Sequence, residues 1–129
     1  MQDRRDTRIG KDLVAASAIP LVLAILEDGE TYGYAILKRI EELSGGDLEW
    51  TDGMLYPLLH RLERLGYVEG RWASPDVGRR RHYYRITPNG QNALSEQRRQ
   101  WEVVSEALHN ALRSFQVLSP SSLPGAFEA

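Results

Sequence analysis

The chain has no cysteine. That excludes disulfides and thiolate metal sites, and it fits a reducing compartment, so a cytoplasmic location is expected. No run of about 18 apolar residues occurs, so neither a membrane-spanning helix nor a membrane partner is expected. The apolar run Ile19 to Leu26 is too short and is flanked by Ser, Ala and acidic residues. The charged first residues lead into no apolar segment with a small-residue cleavage site, so no secretory leader is read. Neither sign of charge dominates, and the net charge is −2. Any affinity for a polyanion must therefore come from local clustering. His60, His82 and His109 are far apart and lack ligand spacing, so no metal site is expected. There is no phosphate-binding glycine loop and no nucleophile elbow. Glu41, Glu42, Asp47, Glu49 and Asp52 read as solvated helix ends and loops. No catalytic residue and no cofactor is expected, and the chain does not read as an enzyme.

What is present is ordinary for a globular domain: 129 residues, 42% apolar and 26% charged. That length suits one domain with an appended helix and tails. The organising stretch is Thr51 to Gly66. Leu55, Leu58, Leu59, Leu62 and Leu65 recur at helical spacing and predict one apolar face. Each leucine buried contributes roughly 1.5–3 kcal/mol, which sets the way the helix faces. Thr51 is placed to cap it, Asp52 suits its first turn and Gly66 its end. The opposite face carries Gly53, Tyr56, Pro57, His60 and Arg64. A glycine, a phenol, an imidazole and a guanidinium together can approach a phosphate backbone and hydrogen-bond to base edges.

Upstream, Ile9 to Glu27 reads as helix through Leu13, Ala16, Ile19, Leu23 and Leu26. Pro20 either kinks it, or lies in the first turn of a new helix capped by Ser17. After the turn Asp28-Gly29-Glu30, Thr31 is placed to cap a helix from Tyr32 to Leu43 with Ala35, Ile36, Ile40 and Leu43 inside. Ser44-Gly45-Gly46-Asp47 ends it, and Leu48-Glu49-Trp50 links it to the 51–66 helix. Two helices, a short connection and a third suit a helix-turn-helix, although small helical bundles share that order.

After Gly66 the period becomes two. Tyr67 to Trp72 and His82 to Ile86 predict a two-stranded hairpin, with Val68, Trp72, Tyr84 and Ile86 toward the core and Arg71, Tyr83 and Arg85 away. An isolated hairpin is marginal, so it must pack on the helices. Between positions 71 and 85 stand five arginines and one acid, Asp76. A solvated basic loop would share this composition. Placed directly after a recognition helix, it reads as a wing whose guanidiniums suit phosphate.

Thr87 and Pro88 open the last helix. Leu94, Trp101, Leu108 and Phe115 are seven apart, Val104 and Ala111 take the intervening positions, and Gln97 interrupts them. This a/d seam is better buried against a second copy than inside so small a domain, although it could fold back on its own domain. Residues 1–8 are expected to fray and 117–129 to form a flexible tail.

With these pieces in order, residues about 10–115 resemble the PadR family of winged-helix transcription regulators. The matching segments are Tyr32-Gly33-Tyr34-Ala35-Ile36, Gly53 to Glu63, Gly66-Tyr67-Val68 leading to Trp72, Gly78 to Thr87, and Gly90. The resemblance implies a mainly α fold with a small β-hairpin: a winged helix-turn-helix over 9–87 and a long dimerisation helix over 88–116. It also implies a homodimer that represses nearby genes and is released by a small molecule. With one helix after the wing, the chain is similar to the short-tailed branch that includes multidrug-sensing regulators. There a planar apolar ligand sits near the dimer axis, which here implicates Trp101 and a wall of Leu13, Ala16 and Ile19. Ser105 stands where that branch has an acid, and Pro20 also departs from it.

Three classes of function follow. In the first, a homodimer lays the 51–66 helices in double-stranded DNA at a palindromic operator with half-sites roughly 34–36 Å apart. Gly53, Tyr56, Pro57, His60 and Arg64 then lie at bases or backbone, Thr31, Tyr32, Tyr34 and Lys38 at phosphate, and Arg79, Arg80 and Arg81 supply charge. In the second, the dimer senses a ligand. In the third, the module binds protein and no longer binds DNA.

Overall fold

The computed structural model describes residues 9–74 and 78–117. The expected frayed start at 1–8, part of the expected wing loop at 75–77 and the expected tail beyond Val117 lie outside the described residues. In chain order the elements are α1 (Lys11–Glu27), β1 (Thr31–Tyr32), α2 (Gly33–Leu43), α3 (Asp52–Arg64), β2 (Val68–Ala73), β3 (Arg81–Ile86) and α4 (Pro88–Val117). The chain divides into two compact units, residues 1–95 and 96–129.

The first unit has one core. It is built from Val22, Leu23, Ile25 and Leu26 of α1, Ile36 and Ile40 of α2, Leu55, Leu59 and Leu62 of α3, Val68 and Tyr84 of the sheet, and Leu94. α1 is continuous through Pro20. Ser17 does not start a second helix; its hydroxyl donates back to the carbonyls of Leu13 (2.8 Å) and Val14 (3.1 Å). The four buried residues that follow Pro20 hold the helix on course against the roughly 3 kcal/mol that a mid-helix proline costs.

α3 buries three of its five predicted leucines. Leu58 is half-buried and Leu65 exposed, because five leucines cover a wider arc than one helix presents to a single core, and Leu65 is already the C-cap. Gly66 ends the helix with φ +79°. Its N–H bonds the Glu63 carbonyl, while that of Tyr67 reaches back to Leu62 at 2.9 Å. This is the Schellman closure that favours glycine. Thr51 takes the N-cap position without a side-chain bond.

Two expectations for α2 are corrected. Thr31 does not cap it, because Thr31 and Tyr32 form β1 and pair antiparallel with Tyr84 and Tyr83. The hairpin is thus extended to three strands in the order β1-β3-β2. A two-residue strand is too short to show alternation, so its pairing across fifty residues left no sequence signal. Leu43 is exposed, since it lies one turn beyond the last core contact at Ile40.

The β2–β3 register places Val68↔Ile86, Gly70↔Tyr84 and Trp72↔His82 on one face. Val68 and Tyr84 are buried there and Ile86 packs against the core. Trp72 is not a core residue: it is on the predicted face, but the strand has run past the end of the core, leaving it 57% exposed. Thr87 opens α4 as expected; its hydroxyl accepts from the Gly90 N–H at 3.0 Å and donates to the Gly66 carbonyl at 2.6 Å. It thereby ties the end of α3 to the start of α4. Leu94, expected in the dimer seam, is 2% exposed in the protomer's own core, because the first turns of α4 belong to the first unit. No described helix is long and apolar enough to cross a membrane.

Candidate nucleic-acid interface

A cleft of about 900 Å³ opens between the N-terminal end of α2, α3 and the loop end of the β2–β3 hairpin. Tyr32 and Tyr34 line it from one side, Tyr56 and His60 from α3, and Arg79, Arg80 and Arg81 from the wing. Seven residues predicted to meet DNA, scattered over fifty positions, therefore share one concavity. The other candidates lie elsewhere. Lys38 is exposed on α2, Gly53 and Arg64 are exposed on α3, and Thr31 is half-buried in β1. Pro57 is exposed and borders a different cleft, between α1 and α3.

Tyr56 is not simply outward. It is half-buried, and its hydroxyl sits over Gly33 so closely that a Cβ at that position would overlap it. Glycine at 33 is what lets the first turn of α2 approach the first half of α3. Tyr34, by contrast, is 65% exposed at the cleft mouth.

The wing arginines fall into two sets. Arg71 is held by Glu30 through two bonds, Nε to Oε2 at 2.8 Å and Nη2 to Oε1 at 2.7 Å. That pairing holds the Glu30 carboxyl below its ordinary range and raises the Arg71 guanidinium. Arg85 is held by Glu69, its Nε and Nη2 both donating to Oε1 at 2.9 and 2.6 Å. Arg79, Arg80 and Arg81 have no acidic partner among the described residues. Two of them stack instead: Arg80 lies 5.0 Å from the Trp72 ring and Arg81 4.4 Å from the Tyr32 ring. Such contacts orient a guanidinium while leaving its N–H fork open to an anion.

Sequence reasoning missed an aromatic column behind these arginines. Trp72 stacks on His82 (centroids 4.5 Å apart) and His82 on Tyr84 (4.4 Å). The Tyr84 hydroxyl shares a hydrogen bond with His82 Nδ1 at 3.1 Å. Burial, then the negative charge of Glu63, pushes the Tyr84 phenol up to about 12, so it keeps its proton. Glu63 Oε2 and His82 Nε2 both lie over Gly70, where a Cβ would collide with them. The signal was available: pairing Trp72 with His82 in a hairpin register puts both rings on the face of Tyr84.

The remaining predicted residues divide between the units. Leu13 and Ala16 are exposed on α1, while Ile19 is half-buried and packs on the core. In the second unit Trp101 and Ser105 are half-buried, and Val104, Leu108 and Ala111 are exposed. The Phe115 side chain lies outside the described residues. Val103 and Leu112 are exposed as well, so the row of apolar side chains on this part of α4 is broader than the predicted seam. Glu96, at its start, is held down to about 2 by hydrogen bonds from Arg99 and Gln100.

Comparison with known proteins agrees with this geometry. Residues 22–96 match the transcriptional regulator PadR-like family. Transcriptional regulator Rv3488 of Mycobacterium tuberculosis is 41% identical over 75 residues, which are 58% of this chain and 66% of that protein. Among solved structures, a transcriptional regulator from Clostridium thermocellum superimposes with a TM-score of 0.71 at 28% identity, covering 78% of this chain and 97% of that one. A PadR-like transcriptional regulator from Bacillus cereus gives 0.70 at 27% identity, covering 79% and 97%.

Proposed function

This chain belongs to the transcriptional regulator PadR-like family, and on that premise we propose that it is a homodimeric repressor that reads a palindromic operator and is released by a small molecule. The observation that carries the reading is the cleft joining Tyr32, Tyr34, Tyr56 and His60 to three arginines that have no acidic partner among the described residues. In this reading residues 9–87 form the DNA-binding unit and 88–116 the dimerisation helix. Gly53, Pro57, His60 and Arg64 of α3 face the major groove. The backbone of one strand passes through the cleft, where the tyrosine hydroxyls donate to phosphate and the arginines neutralise it. Thr31 and Lys38 reach neighbouring phosphates. A regulator of this kind works where the DNA is, in the cytoplasm.

Dimerisation is supported by Val104 and Leu108, which are 56% and 55% exposed on a 30-residue helix and leave apolar surface in water unless a partner covers it. Trp101, Val104, Leu108, Ala111 and Phe115 are the proposed seam; Leu94 is not part of it. The planar apolar effector of this reading binds near Trp101 and Ser105.

Selection of bound sequences from a random DNA pool tests the whole reading. The expected product is an inverted repeat with half-sites roughly 34–36 Å apart, or a multiple of that. A pool that fails to enrich, from a protein that also passes unretained through heparin at low salt, refutes DNA binding and leaves a protein-interaction module. Sedimentation of Val104→Glu/Leu108→Glu is expected to give a monomer; an unchanged dimer removes the seam. Quenching by aromatic compounds that survives Trp101→Ala removes the effector pocket.

A further inference from the structure

Trp72 stands where the core has ended, mostly in water, yet Arg80 lies over it. An exposed indole near the end of a strand has several rotamers open to it, and a guanidinium laid on that ring is only as fixed as the ring. The cross-strand partner of Trp72 is His82. The two rings lie only 20° from parallel. On the same column His82 meets Tyr84, with planes 30° apart. Tyr84 is fully buried and His82 is half-buried. The imidazole thus joins a residue fixed by the core to one that the core does not reach.

The imidazole is itself held on both sides. The Tyr84 phenol keeps its proton, and its hydroxyl lies 3.1 Å from His82 Nδ1. At the other nitrogen, His82 Nε2 and Glu63 Oε2 of α3 share the space over Gly70. A bare nitrogen lone pair beside a carboxylate is repelled, whereas an N–H is attracted. The neutral ring therefore carries its proton on Nε2 and accepts the Tyr84 proton at Nδ1; this tautomer is assigned from the hydrogen-bond network. Gly70 provides the room. It lies between Val68 and Trp72 on that face of β2, where any side chain would take the place of the imidazole.

We infer that His82 is the positioning residue of the wing: clamped between the Tyr84 hydroxyl and the Trp72 ring, it holds the indole flat and so fixes Arg80 at the cleft. His82 takes no phosphate of its own and acts through Trp72 and Arg80. The consequence for DNA rests on the reading of the cleft as a nucleic-acid interface; the clamp itself does not.

The test has one arm without DNA and one with it. In the full chain carrying Trp50→Phe and Trp101→Phe, Trp72 is the only indole left. His82→Ala is expected to raise acrylamide quenching of Trp72 about twofold, because the indole loses one covered face. His82→Phe returns a ring without the acceptor and is expected to bring quenching back near its starting value. Circular dichroism checks that both variants are folded. Nitrogen-15 shifts of the neutral His82 ring are expected to put its proton on Nε2. On a selected operator, His82→Ala is expected to flatten the salt slope by up to about 1.8, as Arg80→Gln does. The double variant His82→Ala/Arg80→Gln should be no flatter than Arg80→Gln alone, since one residue acts through the other. Unchanged quenching in His82→Ala, no recovery in His82→Phe, or a proton on Nδ1 overturns the clamp. A slope that Arg80→Gln flattens and His82→Ala does not overturns the link to Arg80, and so does a double variant equal to the sum of the singles. A chain that binds no duplex refutes the reading of the cleft instead, and quenching still decides the clamp.

Discussion

The division of the wing arginines predicts an asymmetry in the salt dependence of DNA binding. Each phosphate neutralised on B-DNA steepens the slope of log K against log salt by about 0.9. If Arg79, Arg80 and Arg81 each neutralise one phosphate, the two wings of a dimer make six contacts and account for a slope of about 5.4. Between about 50 and 200 mM salt that slope costs roughly three decades of affinity. Arg79→Gln/Arg80→Gln/Arg81→Gln is therefore expected to flatten the slope by about 5, and a single substitution among them by about 1.8. Arg71→Gln should change it little, because the Glu30 carboxylate already neutralises that guanidinium and takes its Nε and Nη2 donors. Glu30→Gln should release Arg71 and steepen the slope by up to about 1.8. Fluorescence anisotropy on a selected operator, at five or more salt concentrations for each variant, reads all four. A slope that Arg71→Gln flattens as much as Arg80→Gln does would refute the division, and so would a triple variant with an unchanged slope.

Three further outcomes concern how the cleft is built. Gly33→Ala places a Cβ on the Tyr56 hydroxyl and is expected to cost about 1–3 kcal/mol in urea unfolding. Adding Tyr56→Phe removes the obstructing oxygen and should recover at least about 0.5 kcal/mol as coupling; strict additivity would contradict the contact. Thr87→Val deletes the hydroxyl bond to the Gly66 carbonyl after α3 and the cap on the Gly90 N–H of α4, and is expected to cost about 1–2 kcal/mol. A value near zero would mean that the helix start does not depend on this cap. The Tyr84 phenol is raised from 10.0 to about 12, so its share of stability is intact below pH 10 and is lost as pH rises from there toward 12. Alkaline unfolding of Tyr84→Phe should lack that loss, and a wild-type curve identical to the variant's would remove the burial effect.

Most of the fold was legible because it is encoded over short spans. Leu55, Leu59 and Leu62 mark the buried face of α3 by spacing alone, Gly66 marks its end, and Thr87 with Pro88 marks the start of α4. The corrections share a different cause. Thr31 pairs with Tyr84, and Glu30 reaches Arg71 across 41 positions; neither contact leaves a local period to read. Trp72 lies on the face that strand alternation gives it, whereas Leu94 leaves the expected seam for the protomer's own core; spacing tells a face but not where along it the core stops. Trp72 lies beyond that limit and Leu94 within it.

The same distinction decides what the candidate site can do. Counted along the sequence, five arginines make a strongly basic wing. In three dimensions Glu30 and Glu69 each cancel one, and neither acid lies in the hairpin loop where a local count would look. What remains is three guanidiniums at the cleft, two of them laid on the Trp72 and Tyr32 rings. A wing with all five free would hold any duplex more tightly, since phosphate contacts are blind to sequence. Holding two in ion pairs lowers that indiscriminate term and leaves a larger fraction of the binding energy to the α3 side chains proposed to read bases. Loss of Glu30 is thus expected to raise affinity for random DNA more than affinity for the operator. Competition of the two duplexes for Glu30→Gln measures this ratio, and a specificity equal to or greater than that of the unaltered protein would show that Glu30 serves only to brace the hairpin.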